Sequence, residues 1–178
     1  MLAGFNDPAA LLRREVAFRR MPSRRDQIRM TDAELRAFLD EQRIVQIATV
    51  GPNGRPHLVP LWYVIEDGDP PVLRGWTFAK SQKAKNLERD PRATISIDDG
   101  VQYQDLRGVM MECDVQLERD PDDIAACGIA LFERYGPGGE LAPEVREMVL
   151  KQAEKRVGLR FEPTRVVTWD HRKLGGTY

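Results

Sequence analysis

Residues 76–97 read WTFAKSQKAKNLERDPRATISI. Aromatic and β-branched residues open the run as a strand, Ser81 stands where a helix N-cap belongs, and RATISI returns to strand alternation. Lys80, Lys83, Lys85, Arg89 and Arg92 all gather around this one strand-to-helix corner. With the strand ending near Phe78 and the helix starting near Ser81, the free first-turn amides, the Ser81 hydroxyl and the Lys83 ammonium can converge on one point. Thr77 can add a second hydroxyl. Unsatisfied backbone donors, the positive end of a helix and a mobile cation form a cradle for an anion such as phosphate. The same residues also read as a plain N-cap beside a solvated charged face, so the stretch alone leaves both readings open. Helical spacing turns Ala84 and Leu87 inward and Lys85, Glu88 and Arg89 outward.

The chain around this corner is charge-balanced, with a net charge of −1 over 178 residues. That balance argues against a broad basic footprint for nucleic acid or an anionic membrane, so any anion site must be local. A hydrophobic fraction of 42% supports one substantial core, and the length suits a single domain with some extension. Cys113 and Cys127 have no patterned partners, and His57 and His171 are the only histidines, so neither a disulfide framework nor a metal site is expected. No apolar run is long enough to span a membrane, and the opening MLAGFNDPAALLRREVAFRR alternates apolar residues with Arg rather than presenting a signal-peptide core. The expectation is a soluble cytoplasmic protein.

Residues 1–28 are expected to form an N-terminal arm, with an amphipathic helix over residues 8–19 and the basic RRMPSRRDQ after it. Residues 29–178 form the domain. Its first element is the helix TDAELRAFLDEQ, where Thr31 and Glu34 have capping-box spacing and Leu35, Phe38 and Leu39 share a face. A hairpin follows: RIVQIATV, the turn GPNGRP, then HLVPLWYVIED. After the turn EDGDPP come the strand VLRGWTF, the corner, the strand RATISID and the long strand DLRGVMMECDVQLE. Helices are expected over 121–136 and 142–156, separated by YGPGGELAP, and VGLRFEPTRVVTWD carries two short strands. Strands mostly adjacent in sequence, with helices inserted late, place the chain in the α+β class, with an antiparallel sheet closed into a barrel and packed by helices.

The order GRPHLVPLWYV, WTFAKSQKAKNLERDPRATISI, LRGVMMECDVQL, PTRVVTWDHRKL resembles the pyridoxamine-phosphate-oxidase-like, flavin-binding split-barrel family, over roughly residues 29–174. The resemblance implies a six-stranded antiparallel split β-barrel of Greek-key type, a homodimer, and a cofactor held in a cleft between subunits. It puts Thr77, Ser81, Gln82 and Lys83 at the phosphate of FMN or of the deazaflavin coenzyme F-420 and adds Lys80 and Pro60 to the cofactor-binding residues, while Trp62 either closes over the ring or is a core or interface residue. Arg107 falls on the fifth-strand position whose side chain reaches the flavin. Trp169 and Arg172 fall in the C-terminal region that reaches the cofactor, commonly from the other subunit. His57 and Trp62 stand where the vitamer oxidases carry Arg and Lys, Gln82 replaces an Arg, and HRKLGGTY lacks their Arg-x-His element. Oxidation of pyridoxamine phosphate is therefore not expected, and the resemblance points to the flavin- or deazaflavin-dependent branch.

Among the remaining residues, His57 suits a structural role better than a catalytic one, and Cys113 has no base beside it in the sequence to make it a nucleophile. Tyr103 and Asp105 precede the fifth strand and border either a substrate mouth or a plain loop. The functional expectation is an FMN- or F-420-dependent oxidoreductase acting on a small organic substrate, in which the cofactor carries the electrons and no catalytic triad is needed. The alternative is a non-catalytic flavin or haem carrier or sensor of the same fold.

Overall fold

The computed structural model describes residues 23–136 and 141–175; the arm helix expected over residues 8–19 lies outside them. Five helices, α1 (Arg24–Gln27), α2 (Asp32–Glu41), α3 (Gln82–Arg89), α4 (Pro121–Tyr135) and α5 (Pro143–Ala153), accompany seven strands. The strands are β1 (Val45–Val50), β2 (Pro56–Leu61), β3 (Val64–Glu66), β4 (Val72–Phe78), β5 (Arg92–Asp99), β6 (Arg107–Glu118) and β7 (Arg156–Asp170). They form one curled sheet in the order β2-β1-β5-β6-β7-β4-β3, and every pairing is antiparallel.

The described residues form seven strands, not the six that the resemblance implies, and the run HLVPLWYVIED divides into β2 and β3. At Tyr63 the backbone leaves the ladder: its N–H donates to the Tyr135 hydroxyl at 3.0 Å, and that hydroxyl donates to the Tyr63 carbonyl, also at 3.0 Å. A side chain on α4 thus satisfies the groups that a neighbouring strand would otherwise pair. The Tyr63 side chain turns inward, and its hydroxyl donates to the carbonyls of Leu39 and Gln42 at 2.7 and 3.0 Å, closing the C-terminal end of α2. Conversely, the two short strands expected at the end are one 15-residue strand, β7. A bulge carries it past Pro163: the register shifts between Glu112 and Cys113, so that Glu112 faces Arg165 and Cys113 faces Pro163. The extra residue lets a strand tolerate a proline that cannot donate to the ladder.

The sheet curls around a core that includes Phe38, Ile47, Tyr63, Leu73, Ile95, Met111 and Phe161, with α2 and α3 contributing Leu39 and Leu87. The curl stays open between β2 and β3, which are joined only by Trp62 and Tyr63. Gly75 on β4 packs beneath this join, where a Cβ would come within 2.9 Å of both Leu61 and the Trp62 carbonyl. A second core lies outside the sheet, where Trp76 of β4 meets Ile124, Cys127 and Leu131 of α4 and Val149 of α5. Gly128 sits mid-helix because the Trp76 ring fills the place of its side chain; a Cβ there would lie 2.4 Å from the ring.

Candidate functional site

The cation-rich corner is built by the end of β4 and the start of α3. Alternation along β4 turns Thr77 inward, 4% exposed, and Phe78 outward, 55% exposed. A tight turn follows, closed by the Ser81 N–H on the Phe78 carbonyl at 2.9 Å and tied to the start of β7 by the Ala79 N–H on the Lys155 carbonyl at 3.0 Å. Ser81 is the N-cap: its hydroxyl accepts from the Ala84 amide at 3.3 Å, and its carbonyl takes the first helical bond, from Lys85 at 3.1 Å. The Gln82 and Lys83 amides therefore have no acceptor within the helix.

Three predicted residues come together here. The Lys83 ammonium donates to the Thr77 hydroxyl at 2.9 Å, and the Thr77 hydroxyl lies 3.2 Å from that of Ser81. Burial pushes the Lys83 pKa below the ordinary lysine value, and the nearby positive charge of Arg156 pushes it the same way. Gln82 instead donates to Asn86 at 2.8 Å, and Lys80 is exposed in the turn. Asn86, fully buried, donates in turn to Thr49 on β1 at 2.9 Å, fastening α3 to the sheet. A polar residue beside the inward positions 84 and 87 was the sequence signal for this anchor.

Arg156 is the other residue that sequence reasoning missed, since nothing marks a lone Arg at a strand start. It faces Phe78 across the β4–β7 ladder, and its guanidinium carbon stands 3.9 Å from the Phe78 ring centroid and 4.9 Å from that of Trp76. One terminal nitrogen donates to Gln152 at 3.2 Å, while Nε is buried without a hydrogen-bond partner. Burial lowers the Arg156 pKa. Among the described residues neither Lys83 nor Arg156 makes an ion pair. Two partly buried cations without an ion pair among the described residues are an arrangement that an anion relieves.

Arg156 also edges a cleft of about 400 Å³ walled by Pro60, Leu61, Trp62, Trp76 and Phe132. Trp62, 47% exposed, stacks on Tyr135 with centroids 4.5 Å apart and planes 10° from parallel. Two predicted cofactor-binding residues, Pro60 and Trp62, thus share one apolar cleft, which Arg156 also edges.

The other three predicted residues lie elsewhere on the chain. Arg107 starts β6, paired with Asp99 and Asp170. Its guanidinium is held by Asp99 at 2.7 Å and by both carboxylate oxygens of Glu41 at the end of α2, which hold the Arg107 pKa above the ordinary value. Trp169 lies opposite Gly108 with its ring over that glycine. Arg172 is bound through two nitrogens to Asp170 at 2.8 and 2.6 Å. Arg156 and Asp170 are the two ends of β7, separated by roughly 45 Å of strand path at about 3.3 Å per residue. Arg107, Trp169 and Arg172 therefore form a second cluster, remote along the strand from the corner. His57 faces Thr49 on the β1–β2 ladder with its Nδ1 buried and unpartnered. Burial pushes both cysteine thiols up to about 12, which leaves them unreactive. Among the described residues no group of three or more metal-ligating side chains occurs, and no helix is long and apolar enough to cross a membrane.

The family model described as pyridoxamine 5'-phosphate oxidase matches residues 31–170, which span the sheet, the corner and both helices of the outer layer. The chain belongs to the pyridoxamine 5'-phosphate oxidase family. The crystal structure of a conserved hypothetical protein from Mycobacterium tuberculosis is 40% identical with a TM-score of 0.79, covering 88% of this chain and 94% of that one. The 5a,11a-dehydrotetracycline/5a,11a-dehydrooxytetracycline reductase of Streptomyces rimosus is 27% identical over 133 residues, 74% of this chain and 78% of that protein. The F420H(2)-dependent biliverdin reductase of Mycobacterium tuberculosis is 30% identical over 95 residues, 53% of this chain and 68% of that protein.

Proposed function

We propose that this protein is an oxidoreductase that holds a flavin-type cofactor, FMN or the deazaflavin coenzyme F-420, and passes electrons between it and a small organic molecule. The observation that carries this reading is the Lys83 ammonium, half-buried, bonded to a hydroxyl and without a carboxylate partner among the described residues, at a corner joined through Arg156 to an aromatic-walled cleft. A planar ring joined to a phosphate matches both parts: the cleft supplies apolar and stacking walls, and the corner supplies amides, hydroxyls and a cation. When bound, such a cofactor supplies hydride or electron transfer.

The residues of this chain do the rest. Lys83 neutralises the anionic group, and Thr77 and Ser81 offer hydroxyls to its oxygens. Trp62, braced by Tyr135, and Trp76 exclude water from the ring. No side chain in the cleft is a general acid or base, in keeping with chemistry carried by the cofactor. Two relatives named as reductases support the oxidoreductase reading, and the one named as F420H(2)-dependent supports keeping the deazaflavin beside FMN as a candidate. The aromatic Trp62 and neutral Gln82, at positions that are basic in the vitamer oxidases, support a substrate other than pyridoxamine phosphate. The remoteness of Arg107, Trp169 and Arg172 from the corner supports a homodimer in which a second copy brings that cluster to the cofactor.

The test is turnover. Reduced F-420 and reduced FMN would be mixed with the protein and offered biliverdin or a dehydrotetracycline as model acceptors, following cofactor oxidation by absorbance. Oxidation accelerated by the wild type and not by Lys83→Ala is the expected result. Tight binding without acceleration for any acceptor in a broad panel would make the protein a carrier instead.

A further inference from the structure

Arg156 belongs to β7 and the corner belongs to β4 and α3, yet the two are adjoining. Phe78 and Arg156 are direct cross-strand partners, and the backbone bond from Ala79 to Lys155 pins the turn before Ser81 to the residue before Arg156. The guanidinium carbon stands over Phe78 and close to Trp76, at 3.9 and 4.9 Å from the ring centroids. Gln152 takes one of its donors, and the buried Nε has no partner. Leaving a buried charged donor unmet is costly, and a guanidinium edge matches two oxygens of a phosphate at once. Of the two α5 carboxylates that border the same surface, Glu147 is paired with Lys151 at 2.8 Å, and Glu144 makes no ion pair with Arg156 among the described residues.

We infer that Arg156 is a second cation for the cofactor's phosphate, which is gripped between the start of β7 and the α3 corner and not by the corner alone. This rests on the reading that the corner holds a cofactor phosphate. Arg156 lowers the Lys83 pKa in the free protein, and the pinned turn that joins the two elements lets one anion meet both cations. The stack on Phe78 and Trp76 presets the guanidinium, so little side-chain freedom is lost on binding. A phosphate bridging β7 and α3 would also fix the mouth of the cleft, since Arg156 edges it.

The test compares ligands with and without the phosphate: FMN against riboflavin, and F-420 against the deazaflavin ring alcohol that lacks phosphate and tail. Affinities are read by ligand fluorescence for wild type, Arg156→Gln, Arg156→Lys and Lys83→Gln, after circular dichroism shows each variant folded. The wild type should prefer the phosphorylated member of at least one pair. Arg156→Gln should cut that preference about tenfold, the scale of one charge-assisted hydrogen bond, while leaving the phosphate-free ligand unchanged, and Arg156→Lys should restore part of it. A preference lost in Lys83→Gln but intact in Arg156→Gln overturns this inference and leaves the corner reading standing. Equal weakening of both ligands in Arg156→Gln overturns it as well, since that reports only lost packing on Phe78 and Trp76. A wild type that binds neither phosphorylated ligand overturns the inference together with the reading beneath it.

Discussion

The Lys83 ammonium rests 2.9 Å from the Thr77 hydroxyl, on the inward side of β4, with no carboxylate among the described residues to balance it. Replacing it with alanine should weaken binding of the phosphorylated cofactor by about 1.5–3 kcal/mol, the contribution of a hydrogen bond to a charged group. Thermal unfolding of the free protein should be little changed, because Lys83 closes no ion pair that folding needs. Isothermal titration beside a melting curve checks both halves.

The same lysine makes binding pH-dependent. Burial first, then Arg156, lowers its pKa in the free protein, and a bound anion favours the charged form and raises it again. Affinity is therefore full below the free-site pKa and falls as pH rises through it, until the pKa of the complex is passed. Affinity measured from about pH 7 to about pH 10 should decline in wild type at a pH below the ordinary lysine value and stay flat over that step in Lys83→Gln.

How much of this was legible beforehand follows from where each interaction is made. The strand-corner-helix of residues 76–97 is local: Ser81 caps, Ala84 and Leu87 turn inward, and all of this is written in spacing. The division between β2 and β3 is not local, because the groups that end β2 are taken by Tyr135, seventy-two residues away. The continuity of β7 was hidden by Pro163, which reads as a break until a bulge is seen to absorb it. Arg156 was silent for the same reason as Tyr135, since its partners Phe78, Trp76 and Gln152 reach it only through the folded sheet and helix.

The second charged cluster should govern acid stability. Hydrogen bonds from Arg107 hold the Glu41 and Asp99 pKa values below the carboxylate norm, and those from Arg172 do the same for Asp170. Their stabilisation is present above the unfolded-state carboxylate pKa and is lost as pH falls through the lowered folded values. Arg107→Ala should cost about 1–2 kcal/mol at neutral pH, a modest figure because Glu41 and Asp99 are partly solvated. It should also move the acid unfolding midpoint upward, as read by far-ultraviolet circular dichroism against pH.

Gly128 offers a packing test that is independent of any ligand. A Cβ at this position would stand 2.4 Å from the Trp76 ring, so Gly128→Ala should destabilise by about 1–3 kcal/mol through overpacking, despite the better helix propensity of alanine. The displaced Trp76 forms a wall of the cleft, and cofactor affinity should fall with it. Chemical denaturation and fluorescence titration would read the two effects.

The central claim is that the corner and the adjoining cleft together hold a flavin-type cofactor. The most direct measurement is a parallel fluorescence titration of the purified protein, stripped of small molecules, with FMN and with coenzyme F-420. Saturable binding of one of them, with affinity reduced in Lys83→Ala, is the predicted result. Binding of neither, by a folded protein, would contradict the account.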